Sequence, residues 1–150
     1  MATIKDVADW FLSQEAMTPK KLQKLCYYFK AWGLALYGED LLPDSDFEAW
    51  VHGPVNPKLY RKYKSYYWQD IPRTSDNSEK FSEKELEILS SVWLTYGDMT
   101  GNALEAQTHA EQPWRKARLG VDEFTNSRRL IRKRDIKSYY RELYEAHQGE

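Results

Sequence analysis

The stretch TPKKLQKLCYYFKAWGLALYG, residues 18–38, constrains the fold more than any other part of the chain. Thr18 before Pro19 reads as an N-cap followed by a proline at the first helical position, where its missing N–H costs nothing. Leu22, Leu25, Cys26, Phe29, Gly33 and Leu36 then make one continuous stripe at helical spacing, and Gly38 can end the helix in the left-handed region. Tyr27, Tyr28 and Trp32 flank that stripe, so apolar or aromatic groups cover more than one face. Such a helix must be covered on several sides, which places it at the centre of a domain.

The remaining periodicities supply the elements that cover it. Ile4, Val7, Ala8 and Phe11 mark a first amphipathic helix ending near Gln14. Between Leu41 and Val55 the period falls to two, with Phe47, Ala49 and Val51 alternating with Glu48, Trp50 and His52, as in a short strand of a small ribbon. Gly53-Pro54 and Asn56-Pro57 are expected to turn the chain twice, and Asn56 can cap a helix that begins at Pro57. That helix is short, with Leu59, Tyr60, Tyr63 and Tyr67 on one face and Lys58, Arg61, Lys62 and Lys64 around the rest. Residues 70–81 lack periodicity and read as an exposed loop. Ser82 with Glu85 forms a capping box, ahead of the stripe Leu86, Leu89, Val92, Trp93 and Tyr96. Shorter helices are expected over 101–108 and 113–118, and Ile136, Tyr139, Tyr140, Leu143 and Tyr144 define a C-terminal one. The fold class is therefore mainly α: a single compact domain over residues 1–150, with about six helices and a small inserted β element.

A chain of 150 residues with 41% hydrophobic and 15% aromatic residues has enough apolar surface to fold as a globule. Its net charge of −1 provides no whole-protein field of the kind that drives bulk nucleic-acid binding. Cys26 is the single cysteine, so an internal disulfide is impossible, and MATIKDVADWF has none of the features of a signal peptide. The apolar runs are too short to cross a membrane, so a cytoplasmic protein without membrane attachment is expected.

Chemistry has little to rest on. Cys26, His52, His109 and His147 are scattered singly, whereas a zinc site needs three or four ligands, commonly paired at close spacing. No phosphate loop, nucleophile elbow or H-E-x-x-H occurs, so neither metal nor cofactor is expected, and no enzyme. His52 is expected to hydrogen-bond a turn carbonyl and to pack on an indole. Thr108, His109 and Glu111 precede Pro113, with Trp114 plugging a helix junction; an acid–base role would require His52 and His109 to converge with Glu48 or Glu111 in one cleft. SRRLIRKRDIKSYYREL, residues 127–143, interleaves cations with tyrosines. It reads as a solvated or protein-pairing face, able to pair with the acidic segment 70–111 or with a partner. Nucleic acid, bound through this segment with Lys58, Arg61 and Lys64, is the alternative.

Three stretches carry a resemblance when taken in order: TPKKLQKLCYYFKAWGLALYGEDL at 18–41, FEAWVHGPVNPKLYRKY at 47–63 and TGNALEAQTHAEQPWRKAR at 100–118. Together they resemble the Panacea domain, the SocA-like or GepA-like phage-associated family, over nearly the whole chain. The matching positions are Leu22, Gln23, Lys24 and Leu25; Trp50, His52, Gly53, Pro54, Pro57 and Tyr60; and Thr108, His109, Glu111, Pro113 and Trp114. The resemblance implies an antitoxin that neutralises, by direct protein contact, a cognate toxin encoded nearby. It also implies that these residues define the fold and do no catalysis. Some relatives act as adaptors that deliver a toxin to a protease, a further alternative. Partner-facing residues should then lie outside the motifs. Tyr, Trp and Arg dominate binding hot spots, so Tyr63, Tyr66, Tyr67, Trp68, Arg128, Arg129 and Arg132 are the candidates. The oligomeric state is left open by the sequence.

Overall fold

The structure, a computed structural model, describes residues 2–148. Its elements are α1 (Ile4–Gln14), α2 (Pro19–Tyr37), β1 (Glu48–Trp50), β2 (Gly53–Val55), α3 (Pro57–Tyr63), α4 (Glu83–Tyr96), α5 (Gly101–His109), α6 (Gln112–Ala117) and α7 (Lys133–Gln148). Each expected cap is present. Thr18, Asn56 and Ser82 accept hydrogen bonds from the backbone N–H groups of Lys21, Leu59 and Glu85, and Gly38 closes α2 at φ +68°. Among the described residues no helix is long and apolar enough to cross a membrane.

α2 is the hub, with α1, α4, α5, α7, β2 and α3 packed around it. Residues 21–31 are all buried, including three lysines that a sequence reading assigns to the surface. Each buried ammonium reaches a backbone carbonyl of another segment. Lys21 Nζ donates to Gly97 O at 2.6 Å, Lys24 Nζ to Pro54 O at 3.2 Å, and Lys30 Nζ to Leu42 O and Ser45 O at 2.8 and 2.6 Å. Asp40 neutralises Lys30 at 3.1 Å. Cys26 is fully buried, and desolvation pushes its thiol far above the ordinary range, so it is a packed apolar group.

The C-terminal face of the hub is closed by aromatic rings. Tyr28 stacks on Tyr96 at 4.0 Å, and Tyr140 of α7 meets Tyr27 and Tyr28 edge-on. Beneath them Glu111 Oε1 accepts the hydroxyls of Tyr28 and Tyr140 at 2.8 and 2.7 Å, while Gln107 Nε2 donates to Oε2. Burial raises the Glu111 carboxyl despite these donors.

Two expectations are corrected and a third is filled in. The reversal of the ribbon lies at Val51–His52, so Gly53 and Pro54 do not form the turn but open β2, paired as Glu48↔Val55, Ala49↔Pro54 and Trp50↔Gly53. The 70–81 segment is the largely exposed loop expected, but it is also tied down at several points. Ile71 exchanges backbone hydrogen bonds with Met17, Thr74 Oγ1 donates to Asp9 O, and Asn77 Nδ2 donates to Asp6 O. Among the described residues no cation of the basic segment pairs with a carboxylate of 70–111: Lys133 takes Asp40 at 2.6 Å, and Leu130 lies against Glu48 as a third, bridging strand position.

Candidate functional site

The three motif stretches, far apart in sequence, meet around the β1–β2 ribbon. Gln23 exchanges two hydrogen bonds with the backbone of Asn56, its Nε2 donating to the carbonyl at 3.0 Å and its Oε1 accepting from the N–H at 2.9 Å. With Lys24 on Pro54 O, α2 side chains thus satisfy backbone groups along β2 that a neighbouring strand would otherwise take. On the other side Trp114 Nε1 donates to Trp50 O at 2.8 Å, and Arg118 Nη1 to Ala49 O at 3.0 Å. His109 stacks flat on Trp114, with ring centroids 3.9 Å apart. Gly53 sits at φ +107°, and a Cβ there would lie 2.6 Å from Lys24 Cε and 3.0 Å from Thr108 Oγ1, so the position admits only glycine without strain.

This junction is unusually cationic for its depth. Lys24 is fully buried with a single carbonyl partner, and desolvation, partly offset by Glu105, lowers its pKa to about 7. Glu105 itself is shared, bonded to Lys20 Nζ at 2.7 Å and to His52 Nδ1 at 3.1 Å. Burial works to raise this carboxyl, but the Lys20 and His52 hydrogen bonds hold it below the usual range. Burial also lowers the His109 imidazole and favours its neutral form.

His52 and His109 do line one small cleft of about 260 Å³ with Lys20, Asn102 and Glu105. The carboxylate partners expected for an acid–base role are elsewhere: Glu48 accepts from Trp50 Nε1 at 2.8 Å, and Glu111 is locked among the core tyrosines. The indole stacking expected of His52 is made by His109, and His52 pairs with Glu105 instead of a turn carbonyl, because the reversal at Val51–His52 swings its ring outward.

A larger groove of about 710 Å³ opens beside this junction, between the first turns of α2, the ribbon, α3 and the turn after α3. Leu22, Val55 and Leu59 give it an apolar floor, and Tyr60, Tyr67 and Trp68 stand on its rim. Trp68 is 85% exposed and Tyr67 72%. Tyr67 is the single non-glycine residue at positive φ (+54°) among those described, a conformation that ends the short 3₁₀ turn Lys64–Tyr66 and turns both rings outward. Trp50 packs on Tyr60 at 4.8 Å, with the Arg128 guanidinium 5.6 Å above the indole.

The structure therefore divides the seven partner-binding candidates. Tyr67, Trp68 and Arg128 gather at the groove. Tyr63 lines the groove but is not an exposed contact: it is buried with Leu59, at i and i+4 on the inward side of α3, and burial raises its hydroxyl to about 12. Tyr66 is half-buried against Tyr63. Arg129 is exposed but holds Leu119 O at 2.6 Å, and Arg132 lies apart, just before α7. Sequence reasoning missed Glu105, took Lys24 only as a motif position and assigned Lys64 only to the nucleic-acid alternative. Lys24 could have been suspected, since a lysine on a helix apolar all round has no surface to reach.

A family model described as "Antitoxin SocA-like, Panacea domain" matches residues 22–115, more than half of the chain. No curated protein and no solved structure matches it.

Proposed function

The chain belongs to the SocA-like antitoxin family with the Panacea domain, and from that premise we propose that it neutralises a cognate toxin by binding it directly. In this reading the toxin is a protein encoded nearby, the complex forms in the cytoplasm, and this chain does no chemistry of its own. The observation that carries the reading is the contrast at the ribbon. Motif side chains such as Gln23, Lys24 and Trp114 bond backbone groups of the ribbon and its flank, whereas Tyr67 and Trp68 stand exposed on the rim of an apolar-floored groove. Large aromatic rings left in water beside a concave surface are what a protein partner covers.

The test is co-expression. The protein encoded beside this one should arrest growth alone, should be harmless with this chain, and should co-elute with it at fixed stoichiometry. Rescue of growth without a physical complex would refute direct binding.

A further inference from the structure

The groove of about 710 Å³ has one more property: its lining is one-sided in charge. Lys20 and Lys64 border it, Lys24 lies beneath its floor, and no carboxylate is among the lining residues. Lys20 and His52 draw on the same carboxylate, Glu105, which lies outside the groove, and the Lys24 ammonium has one carbonyl partner and no ion pair among the described residues. The Lys64 ammonium has no partner at all among the described residues. Arg128 adds a further cation above Trp50 on the same side.

A surface of this kind favours a particular occupant. An apolar floor with rings at the rim takes aliphatic or aromatic side chains, and unpaired cations beside it attract carboxylates. A stacked base would find free faces at Tyr67 and Trp68, but Trp50 and Tyr60 cover one another and the floor of Leu22, Val55 and Leu59 offers no ring to stack on. We infer that this groove seats a segment of the protein partner that carries carboxylates next to a large apolar side chain. The inference rests on the antitoxin reading and specifies where and by what chemistry the toxin is held.

Trp68→Ala and Lys64→Glu, made separately in the full chain, test it against the toxin encoded beside the protein, with affinity measured by calorimetry. Both side chains are exposed, so circular dichroism and melting should be unchanged. Each variant is expected to weaken the complex about tenfold or more, and the Lys64→Glu loss should be recovered by replacing a carboxylate with lysine in the toxin segment that cross-links to Trp68's neighbourhood. Unaltered affinity in both variants would overturn the groove while leaving the antitoxin reading in place. Loss with Trp68→Ala but not with Lys64→Glu would overturn the acidic chemistry. Two other outcomes overturn the protein occupant: single-stranded RNA that binds the wild type and is released by Lys64→Glu, or concentration-dependent self-association abolished by Trp68→Ala. If the wild-type protein captures no toxin, both readings fall together.

Discussion

The ribbon junction and the rim beyond α3 are neighbours built from the same residue types, yet they are opposites. At the junction, Gln23, Lys24, Thr108, Trp114 and Arg118 all direct their polar atoms to backbone or side chains within the fold. At the rim, Lys64, Tyr67 and Trp68 direct theirs to nothing among the described residues. The difference teaches that most of the recognisable residues here build the platform, and that the most exposed rings beside it, Tyr67 and Trp68, belong to residues the motifs leave alone.

The sharpest way to break that contrast is Gly53→Ala. The methyl would be forced into a conformation unsuited to it and against Lys24 and Thr108, and a loss of about 2–4 kcal/mol is expected in urea unfolding. A loss below about 0.5 kcal/mol would show that the ribbon relaxes freely and is no platform.

Lys24→Met should move in the other direction, with a dependence on pH. The folded state holds Lys24 at about 7, below its value of 10.5 when unfolded, so the unfolded chain binds the extra proton between these values. The wild type accordingly loses stability through this group as pH falls from about 10 to about 7, and the full penalty persists below. Methionine removes the penalty and leaves Pro54 O without its donor, so the variant should gain on the order of 2 kcal/mol at about pH 6, with the advantage shrinking towards about pH 10. An advantage independent of pH would mean that Lys24 is not held as a buried cation.

The smallest effect belongs to the rim and the histidine beside it. His52→Gln, at a ring 67% exposed, should change the melting temperature by no more than the equivalent of about 0.5 kcal/mol. A larger loss would place His52 among the platform residues and shift the boundary between platform and rim.

Local signals in the sequence are enough for the helices and their caps, because Thr18-Pro19, Asn56-Pro57, Ser82/Glu85 and Gly38 act within one turn of where they sit. The features that escape a sequence reading depend on distance along the chain. Residues 70–81 look like loop because nothing local orders them; their anchors, Asp6, Asp9 and Met17, lie more than fifty residues away. Gly53-Pro54 reads as a turn from composition, but Gly53 is needed for close approach of Lys24 and Thr108, and the proline is tolerated in a two-stranded ribbon. Tyr63 and Tyr67 share a helical face only on paper, since α3 ends at Tyr63 and the positive φ of Tyr67 redirects the chain beyond it. Of the candidate site, the residue types at Tyr67, Trp68 and Arg128 were legible; their gathering around one groove was not.

The closure of the hub by Tyr140 has a consequence for the order of events during synthesis. α2 emerges early, yet the Tyr27–Tyr28 face and the Glu111 carboxylate are sealed by α7, made about a hundred residues later. At roughly 5–20 residues per second, translation leaves the Tyr27–Tyr28 face of this deeply buried helix uncovered for seconds on every round. During that interval a nascent chain presents a surface that chaperones and proteases recognise, and only the arrival of α7 withdraws it.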